Sequence, residues 1–379
     1  MAWKWALKKP LVTDMKTPAF IIAFIVLGIS AKAQYVSLSK SELKSLHTAI
    51  DTSNVYKKVF NPFLVNARKS LTETPNPIES IRSEGLLEGN PAKAASLKAL
   101  QDADKIYSMA LVYRLTGQKI YLEKAIDFLL AWAKINKASG DPIDETKLEG
   151  IITGYDLVRD YVTTENKSAI DEWMDCVADA ELNSKSSKPG RATAINNWNS
   201  HRIKIITLIA YTLHISKYDK FIISELEKQL TVNLNPDGTT YDFIERDAFH
   251  YHTYDLEPLL TACIVIYRAT GKNYFNYQTE KGASLKKSVD FMIPYITGEK
   301  THVEFVNSTV PFDKARAKNN EKNFKPGTQF NPLSGMYALS LASYFDPTYI
   351  NVIKQAERNG SYFNWQLALN MIKKPVQPN

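Results

Sequence analysis

The chain has 379 residues, 44% of them hydrophobic and 23% charged. This balance excludes a disordered chain and allows one large domain or two smaller ones. The formal net charge of +7 and pI near 9.0 suit an anionic partner such as nucleic acid, an anionic lipid face or an acidic polysaccharide. There is no basic run or nucleic-acid motif, so nucleic acid is the weakest of these.

At the N-terminus Lys8, Lys9 and Lys16 precede an apolar run from Ala19 to Ile29, and Ala31-Lys32-Ala33 follows as a small-x-small cleavage site. This pattern reads as a signal peptide over residues 1–33, with Met15 as the expected true start. The run is too short for a comfortable membrane span. No cysteine follows it to carry a lipid anchor. The mature chain, residues 34–379, is therefore expected to be a single domain, periplasmic or secreted, with no membrane partner after signal removal.

From about Ser37 the periodicity is helical. Helices are expected over Ser41 to Phe60, Ala95 to Thr116, Gln118 to Ile135, Asp144 to Val162 and Asn166 to Asn183. Further helices are expected over Arg191 to His214, Asp219 to Val232, Pro332 to Tyr344 and Gly360 to Ile372. In Gln118 to Ile135, the residues Leu122, Ala125, Ile126, Leu129, Trp132 and Ala133 line one face. Gly117 fits the left-handed stop of the preceding helix. The motif Y-R-x-T-G at Tyr113 to Gly117 recurs at Tyr267 to Gly271, each time between two helical patterns, the second expected to reach Tyr295. Recurring helical hairpins in one core of this size predict an all-α fold, an incomplete (α/α) toroid. The one strand candidate is His302 to Val310, and the Asn/Lys-rich stretch from Lys314 to Phe330 reads as a long loop. Cys176 and Cys263 both sit in apolar helical patterns and read as buried free thiols, although export would permit a disulfide.

Two polar clusters stand out. Asn196-Asn197-Trp198-Asn199-Ser200-His201-Arg202 opens an apolar helix, on which Asn197 and His201 share a face and could together grip a carboxylate. An asparagine capping the helix and a buried, satisfied histidine would explain the same residues. The stretch from Asp237 to Pro258 holds Arg246, His250, Tyr251, His252 and Tyr254 among six carboxylates. Such groups are not buried together without partners. Arg246 can fork onto a carboxylate and Tyr251 can pass a proton. A helix starting near Asp255 and a continuous helix kinked at Pro258 are both compatible with this stretch.

Alanine, Phe249, His250, Tyr251, His252 and Tyr254, in the run A-F-H-Y-H-T-Y-D-L-E-P-L preceded by E-R-D, resemble a motif of the alginate lyase superfamily of α/α-toroid polysaccharide lyases. The N-N-W-N-S-H-R segment and the hairpin from Tyr113 to Ala125 resemble that family too. The resemblance spans about Leu71 to Tyr295. It implies β-elimination at a uronic acid, with Tyr251 in proton transfer, Arg246 near the substrate carboxylate and Asn197 neutralising it. Two departures accompany it: Arg246 and Tyr251 are two residues closer than in the family pattern, and Trp198 stands where a histidine follows the second asparagine. His201, one turn on, is the expected substitute.

On this reading the catalytic residues are Tyr251, Asn197, His201 and Arg246. Asn196, Trp198, His250, His252 and Tyr254 contact substrate, with Ser83, Glu84, Gly85 and Tyr155 as weaker contacts. Asn197, His201 and Arg246 would stabilise the dianion formed when the C5 proton leaves, and Arg246 or an imidazolium would lower the Tyr251 pKa. The base is Tyr251 or a histidine. The expected substrate is a 1,4-linked polyuronate, alginate rich in mannuronate, with polyglucuronate as rival. A toroid hydrolase acting through a carboxylate pair and a non-catalytic glycan-binding protein are the other classes. No metal-ligand spacing or cofactor motif is present.

Overall fold

The computed structural model describes residues 34–357 and 362–373. The expected signal peptide lies outside the described residues, as does the start of the helix expected from Gly360. Residues 33–379 group as one compact unit.

The described helices, in chain order, are α1 (Lys40–Thr52), α2 (Asn54–Ser70), α3 (Pro91–Ala99), α4 (Gln101–Thr116), α5 (Lys119–Ile135), α6 (Pro142–Glu145), α7 (Glu149–Val158), α8 (Thr164–Leu182), α9 (Asn197–Leu213), α10 (Asp219–Asn233), α11 (Tyr241–Arg246), α12 (Phe249–Thr270), α13 (Leu285–Ile296), α14 (Pro311–Lys318), α15 (Met336–Ala342), α16 (Tyr349–Ala356) and α17 (Trp365–Ile372). Contacts run from α4 to α7, α9, α12, α15, α17 and α2, and return to α4. An outer layer packs on this ring, with α5 on α4, α8 and α10 on α9, and α13 on α12. This is the α/α toroid of helical hairpins that the repeated motif predicts. Gly117 and Gly271 close their helices at φ 72° and 73°, where a side chain would strain the backbone.

The inner helices meet closely because they carry small residues at the crossings. A Cβ on Gly154 of α7 would lie 3.0 Å from the Tyr107 backbone nitrogen of α4. α9 has buried residues on every face, since it is covered by α8 and α10 outside and α12 beside it.

Several expected boundaries shift for local reasons. The helix expected over Ser41 to Phe60 breaks at Ser53, whose extended backbone separates α1 from α2. After Gly271 the helix resumes only at Leu285, where the Ser284 side chain accepts from Lys287 N. The expected strand reduces to β1 (Val303–Glu304), antiparallel to β2 (Thr328–Gln329). The expected loop from Lys314 begins inside α14, which Pro311 starts at its first position. Cys263 is buried, whereas Cys176 is exposed; both are free.

α12 runs unbroken through Pro258. Proline has no N–H, so the Tyr254 carbonyl one turn earlier loses its helical partner. The repeated arginine of the second hairpin, Arg268, has a structural task. It is 1% exposed, pairs with both Glu42 oxygens at 3.0 and 2.9 Å, and donates to the Gln34 and Ser37 carbonyls. It thereby ties the start of the described chain to α12. Burial pushes the Glu42 carboxyl up, but Arg268 prevails and holds it below its ordinary value. Arg268→Ala leaves that carboxylate buried without its cation, and is expected to cost about 3–5 kcal/mol in urea unfolding. A loss near zero would show that the tie carries no stability.

Candidate active site

α9 and α12 bring their N-terminal ends to one cleft of about 210 Å³. Asn197 and Trp198 come from the first turn of α9, and His250, Tyr251 and Tyr254 from the first two turns of α12. Arg246 enters from the end of α11, Phe312 and Arg316 from α14, Ser83 and Glu84 from the loop before α3, Lys93 from α3, and Lys147 from the 3-10 turn before α7. Four of these lining residues are cationic, which suits an anionic ligand.

The five-residue spacing from Arg246 to Tyr251 works because the two lie on different helices. α11 ends at Arg246, and Asp247 turns the chain at φ 50°. That costly left-handed conformation is held from several sides. Phe305 N donates to the Asp247 carbonyl at 2.8 Å, and Asn307 donates to the Asp247 carboxylate at 3.0 and 2.9 Å. Glu304 then accepts from Phe249 N and His250 N at 2.8 and 2.9 Å, capping α12. The end of β1 and the turn after it are thus the brace of this corner.

With the corner set, the Arg246 guanidinium lies 3.8 Å from the centre of the Tyr251 ring. Its Nη1 pairs with Asp313 at 2.6 Å. Arg316 Nη1 donates to the Tyr251 hydroxyl, with its guanidinium held between Phe312 and Phe324 at 4.2 and 4.3 Å. Burial of Tyr251, which is 6% exposed, raises its pKa; Arg246 and Arg316 oppose this without overcoming it. The expected net lowering is therefore corrected: the resting tyrosine holds its proton more firmly than a free one. Burial, with Arg316 and Arg246 adding to it, lowers the His250 pKa to about 4, so this imidazole is neutral at neutral pH.

The backbone and side-chain nitrogens of Asn197 both donate to buried Asp242, the former at 2.7 Å. Three expected site residues are placed elsewhere. Asn196 caps α9, its side chain accepting from Trp198 N at 3.1 Å. His252 is fully buried, bonded to Thr240 Oγ1 at 3.1 Å and the Ser288 carbonyl at 3.0 Å among Phe243, Phe249 and Phe291. His201 lies behind Tyr254, its ring centre 4.3 Å away, with Nδ1 2.8 Å from Thr146 Oγ1. Its Nε2 lacks a partner in full hydrogen-bond geometry, yet the ring is close enough to the Tyr254 carbonyl freed by Pro258 for that oxygen to favour its protonation. Burial still drives its pKa well down. A neutral imidazole one layer down supports Tyr254 and supplies no positive charge. The weaker candidate Tyr155 bonds Asp171 at 2.6 Å, away from the cleft.

Arg316 is the residue that sequence reasoning missed. Its signal was Pro311 followed by Phe312, Asp313 and Arg316, a proline-started helical turn inside what reads as a polar loop. Among the described residues no His, Cys, Asp and Glu group has the arrangement of a metal site.

The Alginate lyase family model matches residues 44–302. Among solved structures, an alginate lyase from Bacteroides ovatus superposes with a TM-score of 0.61 at 19% identity, covering 89% of this chain and 96% of that one. Alginate lyase A1-III from Sphingomonas species A1 gives 0.53 at 18% identity, covering 71% and 80%. A variant of A1-III complexed with tetrasaccharide gives 0.52 at 21% identity, covering 71% and 78%. At these identities the likeness establishes the fold. No curated protein sequence matches the chain.

Removing either cation from Tyr251 should raise its pKa further, because the phenolate loses a stabilising charge. Arg316→Ala and Arg246→Ala are each expected to move one tyrosinate absorbance step to higher pH, with Tyr251→Phe identifying that step. An unmoved step in both variants would show that neither guanidinium acts on the hydroxyl.

Proposed function

This chain belongs to the alginate lyase family and is a polysaccharide lyase, and from that premise we propose that it cleaves alginate by β-elimination at mannuronate, with Tyr251 as the proton donor. The observation that carries the reading is a single buried tyrosine hydroxyl held by Arg316 and stacked under Arg246 in a cationic cleft.

A uronate carboxylate entering the cleft meets Asn197, Arg246 and Arg316. Loss of the C5 proton places a second negative charge on that carboxylate, and donors already in position stabilise it as it forms. The C5–H electrons become the C4=C5 double bond, the C4–O4 bond breaks, and O4 takes its proton from Tyr251. A tyrosine whose proton is retained at rest is suited to this step. Neutral His250, whose ring centre is 5.1 Å from that of Tyr251, is the proposed acceptor of the C5 proton. Both groups line the same cleft, which suits removal of the C5 hydrogen and protonation of O4 on one face of the sugar. In mannuronate the C5 hydrogen and O4 lie on the same face of the ring; in guluronate they lie on opposite faces. Polyglucuronate shares the mannuronate arrangement, so it is the rival substrate. Trp198 and Tyr254 offer ring faces to neighbouring sugars.

Export is part of the proposal, since a polymer of this size is met outside the cytoplasm and residues 1–33 have the pattern of a signal peptide. Among the described residues no helix is long and apolar enough to cross a membrane. Residues 34–379 are proposed to be the lyase domain.

The mature protein is to be incubated with polymannuronate, polyguluronate and polyglucuronate while absorbance of the conjugated C4=C5 product is followed. The rise is expected to be fastest on polymannuronate. A fastest rise on polyglucuronate would reassign the substrate, and no rise on any of the three would remove the lyase proposal. Tyr251→Phe should lower kcat by about 10²–10⁴-fold while oligosaccharide binding survives. His250→Gln should lower it by a similar factor; full activity in that variant would make Tyr251 both acid and base.

A further inference from the structure

Behind Asn197 lie two buried carboxyl groups that the elimination does not use directly. Asp242 on α11 and Asp255 on α12 are both fully buried and near enough to oppose each other's ionisation. Two carboxylates in such a place do not both ionise. Their partners differ, and the difference assigns the proton.

Asp242 is surrounded by donors. Asn197 N donates to one oxygen and Asn197 Nδ2 to the other, and Arg246 Nε is 4.0 Å away. It also stands against the first turn of α9, where the helix N-terminus favours negative charge. Asp255 has one donor to its Oδ1: Ser200 Oγ, at 2.6 Å. The Ser200 proton is committed there, because its oxygen accepts from Gln229 Nε2 at 3.0 Å. Among the described residues Asp255 Oδ2 and Asn233 Oδ1 are both buried without a hydrogen-bond partner, yet the two side chains are within hydrogen-bonding reach. The Asn233 amide is oriented by its Nδ2, which donates to the Ile195 carbonyl at 2.9 Å. Both orphaned acceptors gain a partner if Asp255 Oδ2 carries a proton.

We infer that Asp255 is a protonated acid that donates to Asn233, which leaves Asp242 ionised as the positioning residue that fixes the amide of Asn197. An ionised carboxylate only accepts, so Nδ2 of Asn197 must face it. The second N–H and Oδ1 of that amide are thereby fixed as well. A donor at position 242 would favour the amide turned over, exchanging its N–H and its oxygen. Asp242 also lies beside Arg246, so one buried anion serves two of the groups proposed to meet the substrate carboxylate. The catalytic part of this inference rests on the proposed role of Asn197; the placement of the proton does not.

The groups around Asp242 are Glu245 and Arg246 on its own helix and Asn197 on α9, with Asp255 on α12 near enough to feel its charge. Burial raises its pKa above the ordinary carboxylate range, with the Asn197 bonds and Arg246 opposing. Burial followed by repulsion from Asp242 raises that of Asp255 much further. A falling pH therefore protonates Asp242 and releases the hold on the amide, giving an acid limb in kcat/KM. His250 also gains a proton in acid, at about 4, so the limb is assigned by comparing variants.

The test uses Asp255→Asn and Asp242→Asn in the full mature protein. Asp255→Asn reproduces the protonated acid, with one donor to Asn233 and one acceptor for Ser200, and should keep wild-type activity and thermal stability. Asp242→Asn should lower kcat by about 100-fold, the loss of one aligned donor, and abolish the Asp242 acid limb. Equal activity loss in the two variants, or a wild-type rate in Asp242→Asn, would overturn the assignment. Should Asp242→Asn fail to fold, infrared difference spectra still decide. At neutral pH the wild type minus Asp255→Asn should show a protonated-carboxyl C=O band, and its absence refutes the inference. That readout needs no substrate, so it stands apart from a failure of the lyase proposal.

Discussion

A buried cation against a buried hydroxyl needs an anion nearby, and Asp313 fills that need. It is 2% exposed, pairs with Arg246 at 2.6 Å, accepts from Ser308 at 2.7 Å and lies 4.0 Å from Arg316. Without it two guanidiniums would repel each other across one tyrosine ring, each carrying a desolvation penalty. With it, both charges can remain in the cleft and still face a substrate carboxylate. The competition at Tyr251 follows: burial raises the hydroxyl pKa and two cations oppose that rise. Burial prevails at rest, and the hydroxyl keeps its proton.

The toroid contributes position more than chemistry. Its ring of inner helices directs the N-terminal ends of α9 and α12 into the same cleft, where Asp242 and Glu304 already accept from their first backbone N–H groups. The parts that depart from the helical ring then complete the site. The end of β1 and the turn after it brace the Asp247 corner, α14 delivers Arg316 and Asp313, and the loop before α3 closes the far wall with Ser83 bonded to Asp144 at 2.9 Å. The ring supplies a rigid frame, and the short helices around it, α3, α11 and α14, supply most of the positive charge.

Much of this was legible in the residues. Helical periodicity identified the main helices, and the repeated Tyr-Arg-x-Thr-Gly turn identified the hairpins and hence the toroid. Asn197, Trp198, Arg246, His250, Tyr251 and Tyr254, read from two separated clusters, do line one cleft. His201 and His252 read alike with them, because an imidazole in a polar cluster looks the same whether it faces solvent or core. Direction on the helix decided otherwise. His252 follows Tyr251 by one residue, about 100° around α12, and meets Phe243, Phe249 and Phe291 instead of the cleft. His201 lies one turn below Asn197, and that step of about 5 Å along the axis places it under Tyr254.

By itself the sequence determined the all-α class, the hairpin repeat and the basic character that suits a polyanion. These follow from local periodicity, turn chemistry and composition, which need no knowledge of distant partners. Only the tertiary structure decided what surrounds the tyrosine. Arg316 reaches Tyr251 across 65 residues of chain, and Glu304 caps α12 across 55. Asp242 holds Asn197 from 45 residues away. Contacts so remote leave no spacing signal, since the intervening residues set their geometry through packing. The balance of burial against charge, which fixes where the protons sit, exists only once those contacts have formed.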